Sequence, residues 1–221
     1  MITHHPSEEL IAAYAAGSLD EANALALATH LTLCPACRRE AAAYEALGAS
    51  LIEELPEMAM APDALSATLA RVRGETPAMA TIGASQLSRH APASQIMLPA
   101  PLRHYVGGDV DTDKWRTLGP GIQHMPLVAA DGVTARLLRI APGRSVFDHS
   151  HGGTELTLVL NGSYRSQGQR FVRGDLEMAD ESIQHRPVAG TEDVCICLAV
   201  TDAPLRFGNW IGRLMQPFIG I

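Results

Sequence analysis

The 221-residue chain has only four cysteines, no lysine in its first third, and no long apolar run at its start. Its first 20 residues carry acids and histidines where a leader or anchor would be continuously hydrophobic. That excludes a secretory signal or membrane span at this point and predicts a soluble, cytoplasmic protein. The cysteines fall in two close pairs, Cys34/Cys37 and Cys195/Cys197. In a reducing compartment such pairs favour metal binding or redox use over structural disulfides. Cys195 and Cys197 stand two apart in the apolar run "VCICLAV", share one face of a strand, and are read as buried packing residues. Residues 1–75 hold four arginines against eleven acids, whereas residues 76–221 hold 13 basic and 13 acidic residues. The whole net charge of −7 therefore lies in the first third. An acidic segment repels phosphate, which argues against direct nucleic-acid binding and fits a basic protein partner. No internal repeat is visible.

What is present divides into three textures. Apolar residues make up 47% of the chain, enough for real cores. Residues 1–73 read as about four helices. The first follows a Ser7 cap and stops at Gly17. The second follows "SLDE", a capping box of Ser18 and Glu21, and runs from Leu19 to Leu33. A third extends from Pro35 to about Glu54, with Tyr44, Leu47, Leu51 and Leu55 at helical spacing. A fourth is capped by Asp63, with a stripe of Leu65, Leu69 and Val72. Residues 74–101 contain four prolines, many small residues and no sustained periodicity, and read as a linker. From residue 102 to 221 short apolar or alternating runs are split by Gly, Pro and Asp, the texture of an antiparallel β sandwich or small barrel. The expected fold is a multidomain α plus β chain: a helical bundle over 1–73, a linker over 74–101, and a β domain over 102–221.

"HLTLCPAC" carries the first chemical signal. Cys34 and Cys37, two residues apart with Pro35 between them, can both reach one zinc ion, and His30 lies one helical turn before Cys34. A structural zinc site takes four ligands, and the candidates for the last are His4 and His5. His5 is the choice because it is nearer the helix that must dock, with His4 the alternative. Two thiolates and two neutral imidazoles leave such a site electrically neutral, which suits partial burial. A thioredoxin-like dithiol normally opens a helix in a β-α-β context, and this pair sits between helices. The spacing resembles that of the zinc-binding anti-sigma domain, whose ligands would map onto His5, His30, Cys34 and Cys37.

The second signal is Gly143-x5-His149-x-His151-x3-Glu155-x6-Gly162, which resembles the first cupin motif at each specified position. Alternate strand residues face the same way, so His149 and His151 point into the barrel together. Glu155 returns on the adjoining strand after the "GG" turn, and His185 is the candidate from a later strand. Against the second cupin motif, Gly174 and His185 keep their separation, while Asp180, Ser182 and Ala189 replace its proline, glycine and asparagine. Three imidazoles and one carboxylate suit a divalent metal, zinc first, with Fe, Mn, Ni and Cu also compatible. His90, His104 and His124 stand apart from both groups and read as structural or exposed.

An acidic zinc-binding helical domain, a proline-rich linker and a metal cupin, in that order, resemble the ChrR family of anti-sigma factors across essentially the whole chain. "CICLAVTDAPLRF" and "MQPF" resemble the family's C-terminal run. The resemblance implies a transcription regulator without catalytic residues. It would hold an extracytoplasmic-function (group IV) sigma factor through the N-terminal domain and release it on an oxidative signal such as singlet oxygen or an organic hydroperoxide. The cupin metal would read the signal, or Cys34 and Cys37 would. A homo-oligomer through the cupin sheets is compatible with this reading. The alternative is a metal-dependent cupin enzyme, an oxygenase or isomerase with a helical docking domain. There Glu155 would handle protons, and Arg136, Arg139 or Arg165 would contact substrate.

Overall fold

The computed structural model describes residues 1–74, 98–110, 114–130, 132–146, 148–150, 152–203 and 206–207. Most of the expected linker falls outside the described residues. Among the described residues five helices precede twelve strands: α1 Glu8–Ala15, α2 Glu21–Leu33, α3 Pro35–Glu53, α4 Ala64–Val72 and α5 Ala100–Val106. The Ser7 side chain accepts from the Leu10 amide, and α1 ends at Gly17, whose φ of 67° a side chain would oppose.

The start of α2 differs from the expected capping box. Asp20, in extended conformation, accepts from the Asn23 amide at 3.0 Å, while the Ser18 hydroxyl turns back to donate to the Ala13 carbonyl. A carboxylate beside an uncovered helix amide out-competes the hydroxyl two residues earlier, so the helix begins at Glu21 rather than at Leu19. Cys34 separates two helices. Its amide donates to the His30 carbonyl, its own carbonyl receives the Arg38 amide, and Pro35 opens α3 where no amide is needed.

Two compact units are present. Met1–Gly48 forms one with Ile96–Ile221, and Ala49–Gln95 forms the other. Within the first unit a six-stranded antiparallel sheet runs in the order β1 (Arg116–Gly119), β2 (Ile122–Ala130), β3 (Val133–Ile140), β11 (Cys195–Thr201), β5 (Glu155–Asn161), β8 (Leu176–Ala179). Two three-stranded sheets accompany it. One joins β10 (Val188–Ala189), β6 (Ser163–Ser166) and β7 (Gln169–Val172), and the other joins β12 (Arg206–Phe207), β4 (His149–Ser150) and β9 (Gln184–His185). Among the described strands these ladders do not close into one continuous barrel.

β11 shows how the core is divided. Ile196, Leu198 and Val200 join a cluster with Leu27 and Leu31 of α2 and Leu102 of α5, whereas Cys195 and Cys197 join Tyr164 and Phe171 in a second cluster. Period-2 alternation thus serves two apolar layers, and helices cover the face that would otherwise meet water. Tyr105 of α5 adds a hydrogen bond to Glu21 of α2 at 2.7 Å. α2 can be buried on several sides because its alanines let neighbours approach closely.

In the second unit, Asp63 precedes α4 with φ −97° and ψ 2° and makes no side-chain cap bond. That backbone is not the extended one a capping side chain needs, so the expected cap is not formed. Leu65, Leu69 and Val72 are exposed on α4, as are Leu51, Ile52 and Leu55 at the end of α3 and just beyond it.

Candidate metal centres

The first centre gathers around the α2–α3 junction. His30 is fully buried on the last turn of α2, Cys34 ends that helix, and Cys37 lies in the first turn of α3. The segment before α1 brings His5 across to them. Its Nδ1 lies 3.5 Å from Cys34 Sγ and 3.3 Å from Cys37 Sγ, and one ligand atom from each of the four residues lies within 4.8 Å of the others. Zinc bonds of about 2.3 Å to sulfur and 2.0 Å to nitrogen at tetrahedral angles separate ligand atoms by roughly 3.5 Å. Among the described residues neither ring nitrogen of His30 makes a hydrogen bond of good geometry, although the ring is fully buried and the Gly174 backbone is near enough to act on it. A metal on one nitrogen would answer that deficit, so the residues fit zinc.

The electrostatics agree. Burial, aided by His5 and opposed by the Gly174 backbone and Asp175, lowers the His30 pKa to about 4, so its imidazole is neutral and able to ligate. Burial, then the Cys34 thiol beside it and the Glu40 charge, push the Cys37 thiol up to about 12 without metal. Binding zinc there must therefore displace the Cys37 proton. His4 is engaged elsewhere. Its Nε2 meets Gln169 Oε1 at 3.0 Å, its Nδ1 lies 3.4 Å from Asp175 Oδ2, and its ring packs on Phe171 at 4.3 Å. The structure thus places His5, and not His4, with His30, Cys34 and Cys37.

The second centre is buried among the small sheets. β4 and β9 pair so that His149 faces His185, and their Nε2 atoms are 3.2 Å apart. Glu155 Oε2, at the start of β5, lies 3.6 Å from His149 Nε2 and 3.5 Å from His185 Nε2. β4 does not adjoin β5 as the motif reading expected; its ladder partners are β9 and β12, and Glu155 arrives from the large sheet. His151 lies outside the described residues. Two imidazoles and a carboxylate converging at such separations fit a divalent cation.

Behind His185 stands a layer the sequence reading missed. His185 Nδ1 meets Ser166 Oγ at 3.0 Å and Glu177 Oε1 at 3.5 Å, and Tyr164 donates its hydroxyl to Glu177 Oε2 at 2.7 Å. Partners on Nδ1 turn Nε2 toward the metal position. Burial alone would lower the His185 pKa, but the Glu155 and Glu177 carboxylates raise it to about 9. Arg136, on β3, is buried, and burial lowers its guanidinium to about 10 against the opposing pull of Glu155. The sequence signal for this layer was faint. Asp175 and Glu177 alternate with apolar neighbours in "GDLEMA", and a solvated strand face has the same pattern.

Neither His104 nor His124 belongs to a candidate metal group among the described residues. His124 is buried on β2, His104 is exposed on α5, and His90 is outside the described residues. The buried Cys195 and Cys197 thiols lie 3.5 Å apart.

The ChrR cupin-like domain family matches residues 104–204, and a zinc-finger family matches residues 7–38, a span that includes His30, Cys34 and Cys37. Over 222 aligned residues the sequence is 45% identical to the anti-sigma-E factor ChrR of Cereibacter sphaeroides, covering 100% of this chain and 99% of that protein. The chain belongs to the ChrR family. A crystal structure of Rhodobacter sphaeroides SigE in complex with the anti-sigma ChrR matches it with a TM-score of 0.76 at 41% identity, over 91% of this chain and 99% of that one. The zinc-finger match and the His/Cys cluster together support zinc in the N-terminal part. No helix among the described residues is long and apolar enough to cross a membrane.

Proposed function

We propose that this protein is an anti-sigma factor and not an enzyme. It holds an extracytoplasmic-function sigma factor in the cytoplasm and releases it on an oxidative signal such as singlet oxygen or an organic hydroperoxide. The observation that carries this reading is end-to-end similarity, at 45% identity, to a protein named for its action on sigma-E. The N-terminal helices are the docking region. Two features support that assignment: the net charge of −7 over the first third, and the exposed apolar stripe of Leu65, Leu69 and Val72 on α4. A cluster of large exposed apolar side chains is a surface that a partner covers.

His5, His30, Cys34 and Cys37 hold a structural zinc, which when bound ties the N-terminal segment, α2 and α3 together. His149, His151, Glu155 and His185 hold the cupin metal, zinc first, and this centre reads the signal. Moving a bound population from 99:1 to 1:99 takes about 5.5 kcal/mol of differential stabilisation. That is large for one small ligand, so proteolysis of the altered protein is the natural amplifier. Capture of the tagged full-length chain from its native cells is expected to bring down a stoichiometric sigma factor that leaves after oxidant. His149→Ala and Glu155→Ala chains are expected to capture it and keep it. Release from both at the wild-type extent would place the sensor elsewhere.

A further inference from the structure

The zinc ligand His5 lies on a short segment with no secondary structure of its own, yet that segment is held at both peptides flanking residue 3 and at His4. Asp175, on the turn between β7 and β8, is fully buried. Its Oδ1 accepts the backbone amides of Thr3 at 2.7 Å and His4 at 3.0 Å, while its Oδ2 accepts the Val172 amide at 2.9 Å. The next residue completes the grip, for the Leu176 amide donates to the His4 carbonyl at 3.1 Å. Ile2 lies over Gly174, where even a methyl group would run into Ile2 Cδ1. Pro6, immediately after His5, is buried and stiffens the exit toward α1.

We propose that Asp175 is a positioning residue for the N-terminal zinc centre, holding the strap of residues 2–4 so that His5 meets the two thiolates, and that the cupin thereby closes the zinc site. The clamp acts through chain entropy. Without the clamp, several residues of free backbone would have to be ordered each time His5 returned to the metal, and that ordering opposes rebinding. Three hydrogen bonds between backbone amides and carbonyl or carboxylate oxygens hold that order in advance, two of them to an ionised acceptor, the stronger kind. Each zinc–imidazole opening is then followed by rapid reclosure, and loss of zinc is slow.

This inference rests on the reading of His5 as a ligand, and the test separates the two. Zinc-loaded full-length protein is mixed with excess chromogenic chelator, and zinc loss is followed with time. The N-terminal phase is the one that His5→Ala removes or accelerates. Thr3→Pro lacks the amide that Asp175 accepts, whereas Thr3→Ala keeps it, and neither changes a residue of the cupin. Zinc loss in that phase is expected to be at least fivefold faster in Thr3→Pro than in Thr3→Ala, with Thr3→Ala like wild type. Asp175→Ala is expected to match Thr3→Pro. If Asp175→Ala does not fold, the Thr3 pair decides alone. Rates for Thr3→Pro and Thr3→Ala within twofold of each other overturn the clamp. A His5→Ala chain that keeps zinc as wild type does overturns the ligand reading instead.

Discussion

His30 and His185 are both buried imidazoles beside a metal position, and their surroundings drive them in opposite directions. His30 has no carboxylate hydrogen-bonded to it, so burial lowers it to about 4, whereas Glu155 and Glu177 raise His185 to about 9. For His30 in metal-free protein, the unfolded chain takes up a proton near pH 6.5 and the folded one only near 4. Stability therefore falls as pH drops through that window, by about 3 kcal/mol at roughly 1.4 kcal/mol per pH unit. Urea midpoints of metal-free protein between pH 7 and 4 check this, with His30→Gln as the variant that flattens the slope. For His185 the sign reverses. Its stabilisation is fully present below about pH 6.5 and is lost as pH rises through about 9. A metal entering the cupin must displace that proton, so its affinity should strengthen from pH 6 to 9. Glu177→Gln should lower the His185 titration seen by NMR in metal-free protein. It should also weaken cupin metal binding by about 10- to 100-fold, the usual effect of removing a ligand's hydrogen-bonded support.

At the scale of elements, caps and stripes separate what the amino-acid order states from what packing decides. Asp20 rather than Ser18 caps α2, so Asp20→Ala should cost about 1 kcal/mol in thermal or urea unfolding, while Ser18→Ala stays within about 0.5 kcal/mol. A measured order the other way would restore the capping box. Helix α3 was legible almost to the residue, because Pro35 opens it and an alanine-rich stretch continues it. The approach of His30, Cys34 and Cys37 to one another was legible for a similarly local reason: the three lie within eight residues, where helix geometry dictates proximity. Leu47, Leu51 and Leu55 show the opposite. Their helical spacing was plain, but all three are exposed, because periodicity defines a face without saying what covers it.

Across the whole molecule, the parts hardest to read were those that join distant segments. Nothing local in "GDLEMA" says that Asp175 grips residues 3 and 4, or that Glu177, two residues on, backs His185. One short strand start thereby touches the supports of both metal centres. Likewise α2 and the large sheet share one apolar cluster, which composition could not reveal, since helix and strand each supply apolar residues of the same kinds. The α4 stripe belongs to this scale too. Leu65→Asp with Leu69→Asp should abolish partner binding while leaving zinc content unchanged, because both side chains are exposed and belong to a compact unit separate from the one holding the zinc ligands.

An anti-sigma factor silences its sigma factor by holding it. The most direct measurement is transcription in vitro from a promoter that depends on the captured sigma factor, with purified chain titrated in before RNA polymerase. Transcription is expected to fall to background near one equivalent of wild-type protein and to stay unchanged with the Leu65→Asp, Leu69→Asp chain. Full transcription at several equivalents of zinc-loaded wild-type protein would contradict the anti-sigma reading.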